Sequence, residues 1–201
     1  MNYRTLSILV PVLAATACAA PAPAPIPLPV LDYAPQVECT PAYDVSMAVS
    51  LELETEVSDA AASSLLNNTS LCIQGEGEAA RPYSVFALSS KPNAVSYLVG
   101  ASLGRARIIP ARVDVLDADG QITRSYGTDD LHMRHTIHGV FIRPRPDEAY
   151  VVVSLEPEHI GGSLALSVMD PLYPGTEEGS ITSLRYSYEG DAVARVYFEA
   201  P

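Results

Sequence analysis

The sequence predicts an all-β chain folded as a single antiparallel β-sandwich, jelly-roll-like in its strand density. Apolar residues alternate with polar ones at period two through most of the chain after residue 45, which turns one strand face inward and the other to water. Turn-forming residues separate about eleven such short segments, and this spacing belongs to sandwiches rather than to parallel sheets with helical crossovers. At 201 residues, 48% hydrophobic and 18% charged, the chain can bury one ordinary core.

Taken in order, Val45, Met47, Val49, Leu51, Leu53, Thr55 and Val57 alternate with small or acidic residues and read as the first strand. Leu71–Gln74, Tyr83–Ser89, Val95–Ala101, Arg107–Leu116, Ile122–Tyr126 and Thr136–Arg143 follow, then Ala149–Leu155, Leu164–Val168, Ile181–Tyr188 and Ala192–Glu199. Asp119-Gly120 and Glu189-Gly190-Asp191 lie between apolar runs, where hairpins need positive φ. Only Ala60–Leu66 and the neighbourhood of Glu156–Ile160 predict a short helix or helical turn. Asn67-Asn68-Thr69-Ser70 holds two glycosylation sequons and reads as a polar turn.

The N-terminus has a different pattern. Arg4, the uncharged stretch Leu6–Ala17 and the small residues before Cys18 form a secretory signal over 1–17, too short to span a bilayer. Ala14-Ala15-Thr16-Ala17-Cys18 resembles a bacterial lipobox, with Ala15 where Leu is commoner; an ordinary signal-peptidase cut at the same bond is the alternative. Three cysteines in an exported chain leave one over. Lipid on Cys18 closes the count and leaves Cys39 and Cys72 to bridge, against the alternative of two buried free thiols. Residues 18–36 carry Pro21, Pro23, Pro25, Pro27, Pro29 and Pro35, an extended spacer that reaches up to roughly 55 Å from a membrane. Ala19 after Cys18 favours sorting to the outer membrane. The folded domain then occupies residues 37–201.

With 24 acidic and 12 basic residues the chain carries a formal charge of −12, which argues against nucleic acid as a partner. Residues 81–145 reverse the balance, with nine basic and five acidic side chains. Arg105, Arg107, Arg112, Arg124, Arg134, Arg143 and Arg145 are therefore candidates for an anionic polysaccharide or lipid head group, Arg105 and Arg107 foremost. The competing expectation, which we favour, is cross-strand pairing with Asp and Glu.

Asp114, Asp117, Asp119 and Gly120 have the composition of a calcium loop, but Gly120 at its sixth position puts Val115 first and Tyr126 twelfth, so two ligands are missing. A hairpin turn is the simpler expectation. His132, His135 and His138 cannot converge on zinc from a strand, since His135 projects to the opposite face. No metal or cofactor is expected. There is no nucleophile elbow, P-loop or dinucleotide fingerprint, and neighbouring acid pairs point apart, so the chain is expected not to be an enzyme. Tyr186 and Tyr188 would share a strand face, where they either offer two rings to a sugar or a protein or pack a face or rim of the sandwich.

From Tyr83 to Pro171 the order of features resembles the maltose-operon periplasmic protein family: SVFALSS, then VDVLDADGQITRSY, then HGVFIRPRPDEAYVVVSLEPEHI, ending in Met169-Asp170-Pro171. The DADG hairpin also resembles prepeptidase C-terminal domains. The resemblance covers about half the chain and rests on patterned strands. It implies an exported, non-catalytic, mostly β accessory of carbohydrate uptake, with no catalytic residues to carry over. The expected protein is a periplasmic lipoprotein that binds a saccharide or an envelope transport component. The alternative is an envelope interaction or assembly protein without a sugar ligand.

Overall fold

The computed structural model describes residues 33–51, 60–75, 78–88, 94–103, 107–168 and 180–198. Their strands are β1 (Val49–Ser50), β2 (Ala60–Leu66), β3 (Cys72–Ile73), β4 (Arg81–Ala87), β5 (Ala94–Ser102), β6 (Arg107–Ile108) and β7 (Ala111–Asp117). Then come β8 (Ile122–Tyr126), β9 (His132–Arg134), β10 (Ile137–Ile142), β11 (Glu148–Leu155), β12 (Ser163–Val168), β13 (Ser180–Tyr186) and β14 (Gly190–Phe198).

Two sheets form the layers. The first runs β1-β4-β11-β7-β8, with β3 also paired to β4; the second runs β2-β14-β5-β10-β9. Alternation decides what lies between them. Phe86, Val113, Val115, Val151, Val153 and Leu155 from the first sheet meet Tyr97, Val99, Ala101, Ile142, Ala192, Ala194 and Val196 from the second in one buried cluster. Each large aliphatic or aromatic side chain sealed there contributes on the order of 1.5–3 kcal/mol. A third sheet, β12-β13-β6, adds Ile108 and Leu184 to the same core, with Leu164 and Tyr186 packed against it. Ser64 and Ser84 hydroxyls, 2.7 Å apart, join β2 to β4 across the layers.

The fold is thus an all-β sandwich, largely antiparallel. Among the described residues its sheets have six, five and three strands, whereas a jelly roll divides eight between two sheets. At the centre of the second sheet Gly100 and Gly139 are register partners, and a Cβ on Gly100 would run into the His138 carbonyl and Gly139 Cα. The two strands approach too closely there for any side chain.

Three expectations are corrected. Val45–Met47 is a 3₁₀ turn rather than the start of a strand, because Asp44 Oδ1 accepts the Ser46 N–H at 3.0 Å and offers the backbone a local partner. Of the rest of that expected strand, Val49–Ser50 is extended as β1 and residues 52–57 lie outside the described residues. Ala60–Leu66 is strand, not helix: β14 pairs with it from Leu66↔Gly190 to Ala60↔Val196, and the ladder outweighs the helical preference of Ala and Leu. Glu189-Gly190-Asp191 makes no hairpin, since β13 and β14 belong to different sheets. The helical turn near residue 157 is present as a 3₁₀ turn at Pro157–His159. Asp117-Ala118-Asp119-Gly120 does join β7 to β8, with Gly120 at φ +79°.

Candidate functional site

Cys39 and Cys72 are bonded, their Cα atoms 4.5 Å apart, and β3 carries Cys72 against β4. Cys18 and Arg105 lie outside the described residues. Arg107 is in β6, its backbone in register with Arg185 of β13, and its side chain is outside the description.

The arginines that the structure does describe divide. Arg112 Nε reaches Asp114 at 3.0 Å and its terminal nitrogen lies 3.9 Å from Glu156; Arg124 grips Glu148 with Nε at 2.8 Å and a terminal nitrogen at 2.6 Å. Arg124 thus pairs between strands, from β8 to β11, whereas the nearer partner of Arg112 is Asp114 on its own strand, β7. Arg134, Arg143 and Arg145 are exposed side chains.

The buried carboxylates are committed to structure. Asp114, on the outer face of the first sheet, accepts Tyr43 Oη at 2.6 Å, Ser125 Oγ at 2.6 Å and the Arg112 guanidinium. Glu148 accepts Thr123 Oγ1 at 3.1 Å and the Arg145 N–H at 2.7 Å besides Arg124. Burial alone would raise Glu148, but the Arg124 guanidinium and these N–H and O–H donors outweigh it and hold the carboxyl below its usual range. Glu156 accepts the Thr128 N–H at 2.8 Å, and His159 Nε2 lies 3.6 Å away. These bonds tie each acid to neighbouring backbone and side chains of the sandwich.

The aspartate and histidine series also resolve into structure. Asp117 Oδ1 accepts the N–H groups of Asp119 and Gln121, an Asx-type turn, while Asp114 sits buried in its own network. His132 is exposed on β9, His135 holds a turn at φ 54°, and His138 is buried with Nε2 at 3.1 Å from the Leu131 carbonyl. Among the described residues no three His, Cys, Asp or Glu side chains are gathered as a metal site would need.

The tyrosines are placed more suggestively. Tyr186 ends β13 and its ring meets His159 edge-on at 6.3 Å. Tyr188 lies two residues beyond the strand, so the two rings do not form one platform. Instead Tyr188 stacks on Tyr33, ring centres 6.0 Å apart and planes 19° from parallel. Tyr33 and Tyr188 line an open groove of about 470 Å³ together with Pro35, Gln74, Ala79, Ala80 and Pro157. The disulfide-linked N-terminal segment, the loop after β3, the 3₁₀ turn after β11 and the connection into β14 therefore converge there. Burial pushes the Tyr33 hydroxyl up, which keeps it neutral. Sequence reasoning singled out Tyr188 but had no signal for Tyr33, Gln74 or Pro157, which follow one another at separations of 41 and 83 residues along the chain.

Fold and site define a disulfide-bonded all-β sandwich with an aromatic groove that has no charged side chain among its described lining residues. Protein-family models, curated proteins and solved structures all yield no match to the chain.

Proposed function

We propose that this chain is a non-catalytic lipoprotein of the bacterial periplasm, tethered to the outer membrane through Cys18. Its role is accessory to carbohydrate uptake, and the Tyr33–Tyr188 groove takes a neutral saccharide. The groove is the observation that carries this reading. Paired aromatic rings and two prolines offer apolar faces to sugar C–H groups, and the Gln74 side-chain carbonyl, its amide nitrogen donating to the Glu78 carbonyl at 3.1 Å, offers an uncharged acceptor beside the Tyr188 hydroxyl. Engagement of Asp114, Glu148 and Glu156 in structural hydrogen bonds supports a binding role over a chemical one.

Export is supported by the Cys39–Cys72 bond, which belongs in an oxidising compartment and leaves Cys18 as the odd thiol for lipid. This is also the role implied by the family resemblance of residues 83–171.

Thermal unfolding with maltodextrins tests the groove. Binding raises the Tm by mass action, and Tyr188→Ala or Tyr33→Ala removes the rise while Tyr186→Phe keeps it. Neutral glycans that leave the Tm unmoved at millimolar concentration would dismiss the sugar. If cross-linking in cells then returned a reproducible protein partner, the assembly role would take its place.

A further inference from the structure

The two sides of the Tyr33–Tyr188 groove are held in different ways. Gln74 follows β3, whose Cys72 is 2% exposed and pairs with β4, and Tyr188 packs against the main core. Tyr33 and Pro35 stand on a segment that the core does not hold. None of residues 33–42 is buried, and none joins a hydrophobic cluster. Ordering such a stretch costs backbone entropy at every residue. Against that cost stand the Tyr33–Tyr188 stack, a 3.5 Å contact from Tyr33 Oη to the Asn67 carbonyl and three backbone hydrogen bonds. The Gln36 N–H donates to the Asn68 carbonyl at 2.7 Å, the Thr40 N–H to the Cys72 carbonyl at 2.9 Å and the Gln74 N–H to the Thr40 carbonyl at 3.0 Å. All three donors belong to exposed residues, where water competes for such bonds.

The covalent bond is the remaining restraint. Cys39 comes six residues after Tyr33, and Cys72 comes two before Gln74, so their disulfide ties one side of the groove to the other. Four residues beyond Cys39 the chain has an anchor of its own. Tyr43 Oη donates to Asp114 at 2.6 Å, the Asp44 N–H donates to Tyr83 Oη at 2.9 Å, and the Tyr43 ring meets Tyr83 edge-on. Loss of the disulfide therefore frees the Tyr33 side while the segment from Tyr43 onward stays on the first sheet.

We propose that Cys39 and Cys72 are positioning residues of the groove: their bond holds the Tyr33 side in place, so ligand binds only in the disulfide-bonded chain. The ligand half of this inference rests on the saccharide reading above. Reduction reverses the state. One thiolate of an external dithiol attacks the disulfide, its second thiol resolves the mixed disulfide, and two protein thiols and one oxidised dithiol result. The groove is thus incompetent until the chain meets an oxidising compartment.

The test compares the oxidised parent, the parent reduced with dithiothreitol and Cys39→Ser/Cys72→Ser, each as the full chain well below its Tm. Calorimetric titration with maltodextrin is expected to show affinity lower by about tenfold or more in the last two, restored when the parent is reoxidised. Tyr43→Phe weakens the neighbouring anchor with the disulfide intact and is expected to keep the parent affinity. Hydrogen exchange reads the segment without ligand: on reduction the Gln36, Thr40 and Gln74 amides are expected to exchange about tenfold faster or more, while those of β7 and β11 stay protected. Unchanged exchange at the three amides would overturn the proposal. So would equal maltodextrin affinity in oxidised and reduced chains that both bind it, or a loss in Tyr43→Phe as large as in the double variant, which stability alone would explain. If no chain binds maltodextrin while the three amides lose protection, the saccharide falls and the positioning role stands.

Discussion

The Tyr43 hydroxyl donates to Asp114 Oδ2 at 2.6 Å across 71 residues of chain, and this bond fastens the N-terminal segment to the outer face of the first sheet. Asp114 is only 1% exposed. Burial, and then the neighbouring carboxylate, push the Tyr43 hydroxyl well above its ordinary value, so it remains a donor at any physiological pH. Removing the acid would leave Arg112, Tyr43 and Ser125 facing an empty position. Asp114→Ala is therefore expected to cost about 3–5 kcal/mol, and Tyr43→Phe about 1.5–3 kcal/mol. Urea denaturation measures both; a loss below about 1 kcal/mol for Asp114→Ala would show that the network does not hold the segment.

Glu148 sets an acid limit on stability. Its carboxyl lies below its usual range in the folded chain, so its contribution is complete above the unfolded value near 4.5 and is lost as pH falls toward the folded value. Glu148→Gln is expected to lower the Tm at neutral pH and to flatten the decline below about pH 4.5. A variant whose acid limb matches the parent would assign that limb to other carboxylates.

His138 acts at milder pH. The ring is 2% exposed, Nε2 faces the Leu131 carbonyl, and Nδ1 is buried with no hydrogen-bond partner. The carbonyl places the proton on Nε2, and burial holds the imidazole below its ordinary 6.5. Because the unfolded chain takes up the proton first, stability is complete above about pH 6.5 and falls below it. His138→Gln, which keeps an N–H for Leu131, is expected to flatten the Tm between about pH 7 and pH 5. An unchanged slope would clear His138 of this role.

The disulfide closes 33 residues and ties the segment before β1 to β3. Replacing both cysteines with serine is expected to cost about 3–4 kcal/mol by the loop-entropy account. Chemical denaturation of the double variant, with the parent under reductant as a second arm, checks the figure. Equal midpoints for oxidised and reduced parent would contradict it.

Strand positions were legible because period two is local. Val113 and Val115 on either side of Asp114 show their inward face in sequence, Val151–Val153 reads as strand by its β-branched run, and the β7–β8 turn shows its Asp-Gly. The Cys39–Cys72 bond was expected from parity once Cys18 is set aside for lipid, against two free thiols. Ala60–Leu66 was not legible, since its small residues carry almost no contrast between faces and helix propensity is the stronger local signal. Asp114 was legible as an acid near a turn, while its role depended on Tyr43, which no spacing connects to it.

By itself the amino-acid order determined that the chain is β and where most turns fall, and its cysteine count pointed to Cys39 and Cys72 as a pair. Tertiary structure alone decided that β2 lies beside β14, that β13 and β14 part company at Gly190, and that Tyr188 stacks on Tyr33 rather than standing beside Tyr186. The division has one physical cause. Alternation and turn chemistry act over a few residues, whereas partners in a sheet or a groove are chosen by packing and hydrogen bonding between segments that meet only when the core closes.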